Sequence, residues 1–108
     1  MNTAQNTKEQ LVIACQALGL RGCGSVIGGH VSIRVPDERA LWINAFDRTL
    51  EEVTIDDVLM IDFEGNVIEG NREVSIGHEF HSGIYSVRED VNSIVHTHGI
   101  WGTALAAL

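Results

Sequence analysis

The spacing of apolar positions changes several times along the chain, and each change marks an element. Over residues 5–19, Leu11, Val12, Cys15 and Leu18, with Gly19 and Leu20 following, recur at three- and four-residue intervals, which predicts a helix. The glycine-rich RGCGSVIGGH after it predicts a loop. VSIRV (31–35) alternates with period two and predicts a strand. Pro36 and Asp37 turn the chain, and ALWIN (40–44) predicts a second strand paired with the first as a hairpin. The connection AFDRTLEEVTIDD carries a short helical turn near Thr54. VLMID (58–62), the turn FEGN and VIEG (67–70) predict a second hairpin. Residues 76–87 predict a helix whose apolar face is Phe80, Ile84, Tyr85 and Val87. VNSIVHTH (91–98) predicts a buried strand, and a last helix starts near Gly99.

The order is therefore helix, four strands mostly in hairpins, helix, strand, helix. This is a mixed α/β layout with helices packed on a largely antiparallel sheet. No repeat, low-complexity stretch or linker divides the chain, so residues 1–108 predict one domain. The segment WGTALAAL consists of good helix formers with no cap and no stop signal, so the domain is expected to be truncated.

Composition narrows the functions open to this layout. The 108 residues suffice for one small core, and 44% of them are hydrophobic. Seven basic against fifteen acidic residues give a net charge of −8, which argues against nucleic acid or an anionic membrane as partner. Cys15 and Cys23 fit no metal or disulfide framework and point to a reducing, cytoplasmic setting. MNTAQNTKEQ lacks the basic and apolar regions of a signal peptide, and no run is long enough for a transmembrane helix.

Three clusters carry candidate chemistry. His96 and His98 are two residues apart on a predicted strand, so both project from one face at its C-terminal end. Two neutral imidazoles so placed can bind a divalent metal; a hydrogen-bonded histidine pair is the plain alternative. In GHEFH (77–81), His78 and His81 share a helix face, and Glu79 lies about 100° around from His78. A metal site from His78 and His81 is possible, with a packed structural His81 the favoured reading; Glu79 and His78 are candidate acid/base groups, and a solvated helix carboxylate is the plain alternative for Glu79. In GGHVSIRV (28–35), Gly29 allows close backbone approach to an anion, and His30 and Arg34 share a strand face that suits a carboxylate. A sheet-edge or ion-pairing role for Arg34 remains open beside this.

GGHVSIRV, ALWINAFDRTLEEVTIDDVLMIDFEGNVIEG and EFHSGIYSVREDVNSIVHTHG together resemble the class II aldolase/adducin family. The resemblance spans residues 8–108, and IYSVREDVNSIVHTH is its most specific part. It implies a three-layer α/β/α sandwich around a mostly antiparallel sheet. It implies a divalent metal, zinc or in some members manganese, on His96 and His98, with a third histidine well downstream that this chain lacks. It also implies a small-molecule substrate and a homo-oligomer, a tetramer in many members. The chain departs from the family pattern in three places. Gly77 stands where aldolases and epimerases carry a catalytic glutamate. Asn44-Ala45-Phe46-Asp47 replaces a phosphate-binding loop, with Asn44 retained as a candidate substrate contact, and Ser75-Ile76 replaces a Ser-Ser pair. Gly29-His30 in place of Gly-Asn is similar to members that decarboxylate hydroxylated aromatic acids. The expected function is a metal-dependent carbon–carbon lyase, aldolase or decarboxylase, acting through a metal-stabilised enolate. The competing expectation is a non-catalytic adducin-like interaction domain, or an inactive fragment without the third ligand.

Overall fold

The computed structural model describes residues 3–24 and 28–108. Met1 and Asn2, at the start of the segment read as lacking a signal peptide, lie outside the described residues. So does the middle of the predicted glycine-rich loop, residues 25–27.

Helix α1 (Thr3–Leu20) precedes strands β1 (His30–Arg34) and β2 (Ala40–Asn44). Two single-turn 3-10 helices, Leu50–Glu52 and Ile55–Asp57, fill the connection to β3 (Val58–Asp62) and β4 (Val67–Glu69). Helix α2 (His78–Val87), strand β5 (Ser93–His96) and helix α3 (Ile100–Ala106) complete the order. The sheet runs β4-β3-β2-β1-β5 and every pairing is antiparallel. Both predicted hairpins form. Asp37, with φ 62°, makes the first turn in the left-handed region that a short polar side chain tolerates.

Alternation along the strands divides the sheet into two faces. One face packs against α1, where Leu11, Cys15, Val31, Trp42, Leu50, Val53 and Val58 form an apolar cluster. Gln16 of α1 donates to the Val53 carbonyl at 3.0 Å and ties the helix to the β2–β3 connection. Asp57 is 2% exposed there, but it is well satisfied. It accepts from the Thr54 backbone N–H at 2.9 Å and hydroxyl at 3.0 Å, and pairs with Arg72 at 3.0 Å and Arg48 at 3.4 Å. Burial alone would raise its pKa; the Thr54 hydrogen bonds and the two guanidinium groups outweigh burial and hold the carboxyl below its usual range.

The other face packs against α2. Leu41, Ile43, Ala45, Leu59, Ile61 and Tyr85 form its apolar part. The molecule thus has helices on both sides of an antiparallel sheet, the α/β/α layering expected.

Two expectations need correction. Helix α2 turns His81, Ser82 and Tyr85 toward the sheet, while Phe80, Ile84 and Val87 face outward at 68%, 40% and 78% exposure. The stripe that packs is the one that hydrogen-bonds Ser32 of β1. Strand β5 is also shorter than predicted and lies at the sheet edge, pairing among the described residues only with β1. Its outward face is therefore open, and Val95 is 53% exposed.

Candidate metal centre

The pairing of β1 with β5 sets His30 directly opposite His96, so the two imidazoles share the face covered by α2. Helix α2 brings in a third. The His30 and His81 ring centroids are 6.1 Å apart, and those of His30 and His96 are 6.3 Å apart. One nitrogen from each of the three rings lies within 4.8 Å of the other two. His98, just past the end of β5, has its ring centroid 5.0 Å from that of His96. Its backbone N–H donates to the Cys23 carbonyl at 2.6 Å, which holds the strand end against the loop after α1.

The cluster is buried on one side. His30 is 5% exposed and His81 fully buried, while His96 is the most open of the three. The Ser32 hydroxyl, two residues from His30 on the same face, bonds Nδ1 of His81 at 2.6 Å and the Tyr85 hydroxyl at 2.8 Å. This contact orients the His81 ring and leaves its Nε2 turned into the cluster. Nε2 of His81 and both ring nitrogens of His30 are buried without a hydrogen-bond partner among the described residues. Burial, reinforced by His96 and His98 when charged, pushes the His30 pKa down to about 4. Burial and then the neighbouring imidazoles of His30, His96 and His78 likewise push His81 down to about 4. Both rings are thus neutral at neutral pH, and His81 offers Nε2 to a cation in the tautomer whose Nδ1–H donates to the Ser32 hydroxyl.

The structure distributes the other candidate residues differently. Gly29 adopts φ +105°, and a Cβ there would meet Leu50 at 2.9 Å, so glycine is required for β1 to begin beside the β2–β3 connection. Asn44 is not free to bind a substrate. Its Oδ1 accepts from the Val31 N–H at 2.8 Å and its Nδ2 donates to the Gly29 carbonyl at 3.3 Å, both buried. Arg34 is at the opposite end of β1 from His30, about 13 Å along the strand. Its guanidinium donates to the carbonyls of Val91, Tyr85 and Arg88 at 2.9, 2.9 and 2.7 Å and lies over the Tyr85 ring. It ties the C-terminal end of α2 to the sheet, so the pairing of His30 with Arg34 around one carboxylate does not form. His78 covers Gly65 in the β3–β4 turn and approaches the Ser82 hydroxyl at 3.4 Å. Glu79 is exposed on the first turn of α2.

Gly77 occupies a more telling place. A Cβ at this position would stand 3.6 Å from Cε1 and 3.7 Å from Nδ1 of His30. Two of the departures noted in the sequence, Gly77 and His30, are therefore neighbours in space, at ordinary van der Waals distance.

The family described as Class II Aldolase and Adducin N-terminal domain matches residues 9–108. The chain belongs to this family. Among its relatives, the methylthioribulose-1-phosphate dehydratase of Cronobacter sakazakii is 31% identical over 98 residues, covering 91% of this chain and 48% of the relative. The 5-deoxy-D-ribulose 1-phosphate aldolase of Bacillus thuringiensis is 30% identical over 104 residues, covering 96% and 49%. Of the solved structures, the L-fuculose 1-phosphate aldolase of Glaciozyma antarctica superposes with TM-score 0.85 at 30% identity, over 92% of this chain and 42% of that one. YgbL of Klebsiella pneumoniae, a putative aldolase/epimerase/decarboxylase, superposes with TM-score 0.89 at 27% identity, over 100% and 51%. This member of the class II aldolase/adducin family spans about half the length of the curated relatives it matches.

Sequence reasoning singled out His30, His96 and His98, weighed His81 as a metal ligand but favoured a structural role for it, and passed over Ser32. The available signal was that Ser32 shares the face of His30 by strand alternation. The register joining β1 to β5, which completes the group, is a tertiary feature.

Proposed function

We propose that this chain contributes the metal-binding half of a divalent-metal-dependent carbon–carbon lyase of aldolase or decarboxylase type. The observation that carries the reading is the approach of His96 to His98 at the end of β5, beside buried imidazole nitrogens with no hydrogen-bond partner among the described residues. Such a donor set fits a divalent cation, and imidazole ligands favour zinc over manganese, which prefers oxygen. His96 and His98 would hold the ion. When bound it supplies Lewis acidity toward a hydroxyl or carbonyl oxygen of the substrate.

The chain's own groups supply the setting. The apolar side chains of Phe80, Ile84, Ile94 and Val95, with His81 and His96, line a cavity of about 260 Å³ beside the cluster. They offer an apolar wall to a substrate carbon skeleton. Glu79 and His78, on the first turn of α2, are the groups in this reading that move a proton. The reading also takes the protein as cytoplasmic and homo-oligomeric. Two free thiols support the first. Exposed Phe80, Val87, Trp101 and Leu105 support the second. No helix among the described residues is long and apolar enough to cross a membrane.

The test is an assay of aldol cleavage and of hydroxy-acid decarboxylation with zinc or manganese supplied, beside His96→Ala and His98→Ala. Turnover that is lost on chelation and in both variants is expected. Turnover that survives chelation would overturn the reading. A second reading, a non-catalytic interaction domain, draws on Gly77, which places no carboxylate beside His30. Sustained metal binding without turnover of either substrate class would favour it.

A further inference from the structure

A metal-bound imidazole gives its lone pair to the ion, so its other ring nitrogen keeps the proton and needs an acceptor. We propose that His30 is that acceptor for His96. It opens a hydrogen-bond chain from His96 through His30, His81 and Ser32 to Tyr85, which holds His96 toward an ion shared with His98. His30 is in this sense a positioning residue and not a ligand. The inference rests on the reading of His96 and His98 as the metal ligands and deepens it, but does not depend on the reaction.

The fold fixes both ends of the chain. At one end, the β1–β5 ladder sets His30 directly opposite His96. At the other, the Ser32 hydroxyl lies 2.6 Å from Nδ1 of His81 and 2.8 Å from the Tyr85 hydroxyl. Between them stand His30 and His81, at 5% and 0% exposure. Both nitrogens of His30 and Nε2 of His81 are unpartnered among the described residues. Buried polar atoms are almost always paired. Solvent does not reach these three, so the groups at hand to satisfy them are one another and His96. One nitrogen from each of the three rings already lies within 4.8 Å of the other two. Small turns of the rings, His96 being the most open, bring such contacts to the usual ~2.9 Å.

The direction of the chain follows from the ion. A neutral imidazole has one N–H and one lone pair, so each ring passes a hydrogen bond on in one sense only. With an ion on His96, its N–H donates to His30 and the N–H of His30 donates to Nε2 of His81. Nδ1–H of His81 then donates to the Ser32 oxygen, and the Ser32 hydroxyl donates to the Tyr85 oxygen. In the opposite sense, His30 would donate to the lone pair of His96 and leave a proton on the nitrogen that faces the ion. The ion therefore selects the Nδ1–H form of His81, a ring that does not bind it.

The test is calorimetric titration of Zn²⁺ alone into the 108-residue chain and its variants, each checked for wild-type circular dichroism. Multiple-bond ¹⁵N–¹H spectra of the zinc-loaded wild type supply a second readout, the tautomer of each imidazole. His96→Ala and His98→Ala, which remove ligands, should each lose the binding. His30→Leu, which removes the acceptor, should weaken it about 10–100-fold. His30→Gln, whose amide both accepts and donates, should restore most of it. In the loaded wild type, His81 should carry its proton on Nδ1. Wild-type affinity in His30→Leu, or a loaded His81 with its proton on Nε2, would overturn the proposal; loss in both alanine variants would then leave the two ligands standing without it. Equal weakening in His30→Leu and His30→Gln would also overturn it, since packing alone would explain the loss. Absence of zinc binding by the wild-type chain would overturn the ligands and the chain together. The expected affinities and tautomer without lyase turnover would uphold the chain and remove only the reaction.

Discussion

The two faces of the sheet are built from the same five strands but are filled differently. On the α1 face, hydrophobic side chains close over one another, and the buried charge, Asp57, has a partner for each carboxylate oxygen. On the α2 face, the apolar cluster stops at Tyr85 and gives way to His30, Ser32 and His81, with three buried nitrogens unpartnered among the described residues. A polar group buried with its partners is part of the fold. A polar group buried without them costs stability, so it is expected to be retained for what it binds.

The comparison breaks most visibly on the α1 face. Leu11 is fully buried there. Leu11→Ala should cost about 2–5 kcal/mol of unfolding free energy in urea titrations, while zinc affinity per folded molecule stays unchanged. Loss of zinc affinity in the folded variant would show that the two faces are not independent. Zinc itself sharpens the contrast from the other side. At one hundred times its Kd it should raise the unfolding free energy by about 2.7 kcal/mol. His96→Ala should lose that increment and Leu11→Ala should keep it, as measured by melting with and without chelator.

Asp57 tests the claim that the α1 face satisfies its polar groups. Its folded pKa is depressed, so its contribution is present above the unfolded value, about 4, and is lost as pH falls through the lower folded value. Asp57→Asn should cost about 1–2 kcal/mol at pH 7, with the wild-type and variant curves converging as pH falls through the depressed folded value. A gap that stays constant from pH 7 down through the acid unfolding range would mean that packing, not charge, sets the cost.

Much of this division was legible in the sequence because strand alternation and helical spacing are local. The 5–19 helix, both hairpins and the pairing of His96 with His98 follow from periods of two and of three to four. Long-range partners were not legible. Arg34 and Asn44 have the chemistry of substrate contacts, yet their donors end on backbone carbonyls brought close only by folding. VNSIVHTH has the composition of a central strand, but its position at the sheet edge depends on which strands neighbour it. For α2, two adjacent stripes compete for the sheet, and the one with fewer apolar residues wins because it carries the hydrogen bonds to Ser32.

The smallest expected effect goes to the centre of the comparison. His30→Leu keeps roughly the volume of the side chain and removes two buried nitrogens that have no hydrogen-bond partner among the described residues. If the α2 face accepts their cost only for binding, the metal-free variant should be more stable than wild type by about 1 kcal/mol in urea titrations. Such a gain marks a group maintained against the fold. A loss of stability in the metal-free state would instead mean that the imidazole is held by packing against Gly77 and His81, and that the α2 face differs from the α1 face in composition but not in purpose.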